Sequence, residues 1–287
     1  MNRYVIFADS GCDLEPSLLA EMDVRLLHLK FAFLGENEAV NSEVDHKAFY
    51  DAMRAGRIAR TSALNISEFK TAFAEEFKNG NDVFYLSFSS GLSSTFSSAL
   101  AACEELKEEF PERRAVVVDS LAASAGYGLL LYLAVQKKNE GLGFDELKAF
   151  CEGIRLNVCH WFTVDDLVYL KRGGRVSAAT ALAGSVLGIK PVLHVDDDGH
   201  LINMSKVRGR KAAIKALADK LSATRDPSVG DTVFISHADC RDDADTLAHM
   251  LKKEYGVKVT LMTNIGPVIG AHSGPGTLAL FFLGTNR

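Results

Sequence analysis

The sequence predicts an α/β protein in two domains: a parallel-sheet α/β domain over residues 1–155 and an α+β domain with a mixed or antiparallel sheet over residues 156–287. Three observations lead there. At 287 residues the chain is long for one hydrophobic core and comfortable for two. In its first half short apolar runs alternate with amphipathic stretches, the pattern of strands joined by helices and so of a parallel sheet with helices on its faces. In its second half two apolar runs flank Asp196-Asp197-Asp198-Gly199, a hairpin turn signal that a purely parallel sheet does not use.

Taken in order, Tyr4–Ala8 reads as the first strand. Residues Ser67–Lys78 place Phe69, Ala72, Phe73 and Phe77 on one helix face, and Asn65 with Glu68 three residues on is a capping-box pattern that starts it. Asp82–Ser87 and Ala115–Val118 are further strands, with helices expected over Ser94–Phe110 and Ala122–Lys138. Beyond the boundary, strands are expected at Trp161–Val164, Pro191–Val195, Leu201–Val207, Val233–Ser236, Lys258–Met262 and Thr277–Phe282. Two helices, Arg210–Leu221 and Asp242–Glu254, cross between them. No internal repeat or low-complexity stretch interrupts the pattern.

Composition narrows the function classes. Apolar residues make up 47% and charged residues 24%, as in an ordinary soluble globular protein. A net charge of −5 argues against a general nucleic-acid binder, which needs a basic excess for phosphates. Such an excess exists in one place: nine Lys or Arg against three acids between Lys171 and Lys215, a local +6 against −11 elsewhere. It reads either as a solvated basic face or as a surface for an anionic group or acidic partner. The five cysteines, Cys12, Cys103, Cys151, Cys159 and Cys240, are scattered and form no Cys-x-x-Cys pair. Reduced core thiols are expected, rather than disulfides or a zinc site. The first strand follows the N-terminus without a basic start and long apolar run, and the most apolar segment, Leu278–Leu283, is far below the ~20 residues of a membrane span. A cytoplasmic protein is expected.

The chemistry-bearing candidates are three small-residue, hydroxyl-rich turns: Arg60-Thr61-Ser62, the run Ser87 to Thr95, and Gly270-Ala271-His272-Ser273-Gly274-Pro275-Gly276. Hydroxyls and free N–H groups at helix starts suit an anion, although helix capping explains Ser and Thr equally well. Ser93 with His272 could act as nucleophile and base, but the Gly270–Gly274 run has His where a nucleophile elbow has Ser. The histidines show no metal-ligand spacing, and both Walker and Gly-x-Gly-x-x-Gly patterns are absent. Neither a metal nor a nucleotide cofactor is expected. Lys171-Arg172-Gly173-Gly174-Arg175-Val176-Ser177 is either a tight cationic turn around an anion or a helix C-terminus with a glycine cap.

These runs, with Asp9-Ser10, Asp13-Leu14, Val118-Asp119-Ser120, Gly188-Ile189-Lys190-Pro191 and Ile265-Gly266-Pro267, resemble the DegV family of bacterial fatty-acid-binding proteins over nearly the whole chain. The resemblance implies a long-chain fatty acid enclosed between the two domains, with its carboxylate held by Thr61, Ser93 and His272 and with Ser62 and Ser94 adjacent. It implies no catalysis by the chain itself. It implies instead delivery of the acid to a separate fatty acid kinase that makes acyl-phosphate for phospholipid synthesis, with transient contact at a membrane surface. On that reading Arg172, Arg175, Arg208 and Arg210 are candidates for steering the kinase or the phosphate. Tunnel-lining candidates are Phe31, Phe33, Leu64, Leu92, Phe96, Ile189, Ile265 and Ile269. The family carries Pro soon after the Thr-Ser pair where this chain has Ala63-Leu64-Asn65, so a less rigid loop is expected. An acyl-ester serine hydrolase and a lipid-responsive regulatory sensor are the rival readings.

Overall fold

The computed structural model describes residues 3–40, 44–177 and 188–287. Its strands form three sheets. Strands β1 (Tyr4–Asp9), β2 (Val24–Leu27), β6 (Asp82–Ser87) and β7 (Ala115–Asp119) make a parallel sheet in the order β2-β1-β6-β7. Strands β3 (Lys30–Phe33), β4 (Ala39–Val40) and β5 (Ala59–Ser62) make a small antiparallel sheet with β3 central. The remaining strands are β8 (Val158–Thr163), β9 (Ile189–Val195), β10 (Leu201–Arg208), β11 (Val233–His237), β12 (Leu261–Asn264) and β13 (Leu278–Leu283). They form a mixed sheet ordered β10-β9-β8-β13-β11-β12, with only β11 and β12 parallel.

Each large sheet is covered on two faces because its strands alternate apolar side chains. From β1, Val5 and Phe7 pack with Phe69, Phe73 and Leu106 of helices α3 (Ile66–Lys78) and α4 (Thr95–Glu109), while Ile6 and Ala8 join the opposite cluster. From β13, Leu278, Leu280 and Phe282 meet Leu217 and Leu247 of helices α8 (Arg210–Thr224) and α9 (Arg241–Tyr255); Ala279, Phe281 and Leu283 face the other way. Between the two inner faces lies α5 (Ser124–Asn139). Its apolar residues run all the way round instead of forming a stripe, the signature of a helix buried on every side. Leu129, Leu130 and Leu131 are fully buried in one cluster with Phe84 of the first sheet and Phe281 of the second.

Two buried aspartates fix the chain around that helix. The Asp9 carboxylate accepts from Gly11 N (3.0 Å), Phe88 N (3.1 Å) and the Tyr85 hydroxyl (2.7 Å), and Asp9 N donates to the Tyr127 hydroxyl of α5 (2.9 Å). Asp13 accepts from Ser124 Oγ (2.6 Å) at the start of α5 and from Gly266 N (2.9 Å), and its carbonyl accepts from Thr263 Oγ1 (2.9 Å). Burial pushes the Asp13 carboxyl up to about 8. The Asp9-Ser10 and Asp13-Leu14 runs thus tie the first strand to both halves of the chain.

Several expectations are corrected. The antiparallel ribbon β3-β4-β5 did not emerge from the sequence, although Lys30–Phe33 alternates in the strand period. Helices α1 (Pro16–Glu21), α2 (His46–Arg54) and α6 (Phe144–Ile154) carry no expectation from the sequence, whereas α7 (Val168–Arg172) ends in Lys171 and Arg172 with Gly173 as its C-cap, the helix-C-terminus reading of the Lys171–Ser177 run. The last strand before the C-terminal loop is Leu261–Asn264, shifted from Lys258–Met262 so that it pairs with β11. The glycine-rich stretch near the C-terminus is no turn between strands; Pro267–Ser273 form helix α10, with Pro at its first position, where a missing N–H costs nothing. The capping box holds as read: Asn65 Oδ1 accepts from Glu68 N (3.0 Å) and Glu68 Oε2 from Asn65 N (2.9 Å). All five cysteines are free thiols.

Because α5 has no solvent face over its first two turns, truncating it there leaves a cavity with little route to collapse. Leu130→Ala is expected to lose about 3 kcal/mol of unfolding free energy in urea titration. Met204→Ala, at a half-exposed position on the edge strand β10, should stay within about 0.5 kcal/mol of the parent. Equal losses at the two positions would contradict the buried-helix reading.

Candidate functional site

A cavity of about 300 Å³ lies where the small sheet, the β6–α4 turn, the N-terminus of α5 and the inner face of the six-stranded sheet converge. Its floor is apolar: Phe162, Ala279 and Phe281 from the sheet, Ala123 before α5, and Ile265, Val268 and Ile269 around α10. One part of its wall is polar, made by Thr61, Ser62, Ser93, Ser94, Arg175 and His272. The three hydroxyl-bearing runs, up to 211 residues apart in sequence, therefore meet in one place.

The β6–α4 turn lies at the carboxyl end of a parallel strand, where such sheets leave room for ligands. It is held from three sides. Asp119 Oδ1 accepts from Ser90 N (3.2 Å), Ser89 Oγ donates to Gly199 O of the β9–β10 hairpin (2.9 Å), and Leu92 O accepts from Arg175 Nε (3.1 Å) and Nη2 (2.9 Å). A Cβ at Gly91 would come within 2.8 Å of Asp198 O, so only glycine lets the turn reach the hairpin. Ser93 Oγ accepts from Thr95 N (3.2 Å) and lies 2.8 Å from Thr95 Oγ1; Ser94, in the N-cap place of α4, makes no side-chain cap.

His272, on the last turn of α10, brings its Nε2 to 2.8 Å from Thr61 Oγ1. Its Nδ1 is buried with no hydrogen-bond partner among the described residues and abuts Gly173, where an added Cβ would stand 2.1 Å from it. Burial, with the Arg175 guanidinium adding to it, brings the imidazole down to about 4, so it is neutral at ordinary pH. If Nε2 carries the proton, it donates to Thr61 Oγ1 and leaves the Thr61 hydroxyl hydrogen free for an acceptor in the cavity. Ser273, also lining the cavity, has a buried hydroxyl without a partner among the described residues.

The hydrolase arrangement is not assembled. The Ser93 hydroxyl bonds to Thr95 and not to His272, and no carboxylate orients His272 Nδ1 among the described residues. Among those residues no group of three or more His, Cys, Asp or Glu could hold a metal ion. No helix among them is long and apolar enough to cross a membrane.

The candidates fare unequally. Leu92, Ile265 and Ile269 line the cavity, whereas Phe31, Phe33, Leu64, Phe96 and Ile189 do not. Phe31 packs edge-on against both Phe33 and Phe49, Phe33 lies tilted against Phe49, and Leu64 joins the α3–α4 core. Ile189 opens β9 opposite Arg208, and Phe96 is half-buried on α4. The missed lining residues include His160, Phe162, Ala279 and Phe281; the period-2 pattern of β8 and β13 marks them as one face but cannot say what that face meets. Of the four arginines, Arg175 is an internal tie and not a surface contact. Arg210 is committed to ion pairs with Asp243 (2.8 Å) and Asp165 (3.7 Å). Arg172, with its guanidinium 5.7 Å from the Tyr169 ring, and Arg208 remain exposed.

A family model described as "Uncharacterised protein, DegV family" matches residues 3–285. A "DegV domain-containing protein" of Clostridium perfringens is 44% identical over 290 aligned positions, covering 100% of this chain and 99% of its own. A solved structure described as showing fatty acid binding of a DegV family protein from Thermus thermophilus is 28% identical with a TM-score of 0.86, over 98% of this chain and 99% of that one. A DegV family protein from Eubacterium eligens, described as loaded with heptadecanoic acid, is 25% identical with a TM-score of 0.85, over 98% of this chain and 100% of that one.

The low position of His272 makes a prediction about stability. The unfolded chain takes up a proton near pH 6.5 that the folded chain refuses until about 4, so stability is lost as pH falls through that window. For His272 the loss is about 3 kcal/mol. His272→Gln is expected to flatten urea midpoints between pH 6.5 and 4 by about that amount; an unchanged slope would mean the imidazole is not buried neutral.

Proposed function

The chain belongs to the DegV family, and on that premise we propose that it encloses one long-chain fatty acid in the cavity and presents the carboxyl group to a separate kinase for acyl-phosphate formation. The observation that carries the reading is a largely apolar cavity in which Thr61, Ser93 and His272, with Ser62 and Ser94 beside them, gather polar groups at one part of the wall. An acyl chain of ~15 methylenes gains on the order of 12 kcal/mol on leaving water. Association and ordering offset part of that gain, and the remainder retains the ligand. The acyl chain sets affinity, and the head group needs only to avoid burial without partners.

The chemistry of the corner fits presentation. Arg175 directs its N–H groups at Leu92 O and Gly173 O, so a carboxylate here meets hydroxyls and a neutral imidazole in place of a bidentate ion pair. An oxygen held by hydroxyls keeps more of its nucleophilicity than one locked to a guanidinium. Of the four candidate arginines, Arg172 and Arg208 are the exposed ones, placed to meet an acidic partner or a phosphate. That the β1–α5 and β8–β13 halves act as two domains, divided near residue 155, is part of the same proposal.

Native mass spectrometry of gently purified protein is expected to give one added mass in the range of a long-chain fatty acid. Protein that is empty and stays empty when offered acyl chains would overturn the reading. With a cognate kinase, His272→Ala should keep its lipid yet lose phosphorylation at least tenfold; phosphorylation at the parent rate would remove His272 from the presenting group.

A further inference from the structure

The cavity-lining side chains of the six-stranded sheet lead away from the polar corner in register. Thr277 stands nearest that corner: its hydroxyl donates to Ser273 O (3.0 Å) and Gly274 O (2.8 Å) at the end of α10, the helix of His272. Ala279 and Phe281 follow on one face of β13, the second about 7 Å beyond the first. Phe281 pairs with His160 of β8, and Leu201 of β10 pairs with Val195 of β9. With Trp161 opposite His194 between them, these four side chains fall in one row across the sheet, and all four line the cavity. The next pair on that face, Val158 with Leu283, belongs to the closed core and does not line it. Along the sheet, the cavity ends at the row of Phe281 and His160.

Two rings make that end by reaching across to α5. The Phe281 and His160 rings meet edge-on, with centroids 5.3 Å apart. Both press on Gly126, where an added Cβ would stand 2.2 Å from His160 Nε2 and 2.6 Å from Phe281 Cδ1. The helix has no room to retreat. Gly128, about 200° further round it, is equally tight, since a Cβ there would come within 2.6 Å of Cys12 O. A side chain at position 126 therefore has to displace the rings, and the unfilled space beside them is the cavity.

We propose that Phe281 and His160, seated on Gly126, are the end stop for the acyl tail, so that this wall sets the longest acid the protein accepts. The inference rests on the fatty-acid reading above and adds a chain-length limit to it. With the carboxyl group fixed at the corner of Thr61 and His272, length is measured from that corner to the rings. A methylene that finds no place before the wall forfeits its gain on leaving water. Glycine at position 126 gives the rings their seat and the cavity its full depth.

The test is competition among saturated acids from dodecanoic to docosanoic on the full-length protein, read by native mass spectrometry. Phe281→Ala removes part of the wall and is expected to move the preferred acid up by about two carbons. Gly126→Ala drives the rings inward and should move it down by about two carbons. Each methylene that loses its place weakens binding about fourfold, so the parent's preferred acid should bind Gly126→Ala on the order of tenfold more weakly. General loosening of the core would not shift the two variants in opposite directions. His160→Ala, which takes away the other ring, should also lengthen the preferred acid, and it decides the matter if the other variants do not fold. A length profile equal to the parent's in Phe281→Ala or His160→Ala overturns this inference and leaves the fatty-acid reading standing. So does a Gly126→Ala variant that keeps the parent's longest acids. A parent protein that binds no acyl chain sinks both.

Discussion

A helix that is apolar on every side has to be covered on every side, and α5 imposes that requirement on the rest of the molecule. Neither large sheet can bury it alone, since each offers one face. With Ile6, Phe84 and Leu86 of the parallel sheet on one flank and Phe162, Phe234 and Phe281 of the mixed sheet on the other, the helix becomes a shared core. Sheets that share a helix cannot close on each other beyond its N-terminus. The cavity begins there, at Ala123 and Ser124.

The two aspartates at that junction are buried but paired. Asp9 and Asp13 sit within nine residues of the first strand's start and reach α5, the β6–α4 turn and α10. Burial raises both carboxyls, and the hydrogen bonds from Tyr85, Ser124 and Gly266 oppose that rise. Each bond joins segments distant in sequence, so these residues set how the halves face each other and thereby the shape of the cavity mouth.

Inside the cavity the same low polarity has two consequences. It removes charge from His272 and His160, which makes both imidazoles hydrogen-bonding groups and not cations at ordinary pH. It also makes each remaining polar atom specific, because an unmet donor or acceptor has no water to turn to. Arg175 escapes that penalty by spending its guanidinium on backbone carbonyls, and so stiffens the turn that carries Ser93.

The sequence by itself determined the alternation of strands and helices, the Asn65 capping box and the three hydroxyl-bearing runs, because period, caps and turn chemistry are local. It also carried the ordered motifs that mark the family. It did not reveal helix α10, because Gly270, Gly274 and Gly276 masked a seven-residue helix whose one local sign is Pro267. Nor could it separate Phe31 and Phe33, which fill a core under the small sheet, from Phe162 and Phe281, which line the cavity: all four alternate in strands, and only packing decides which apolar face meets empty space. The roles of the arginines were equally hidden. Arg175, Arg210 and Arg172 have the same charge in sequence, and what each does depends on whether carbonyls, carboxylates or solvent surround it once the chain has folded.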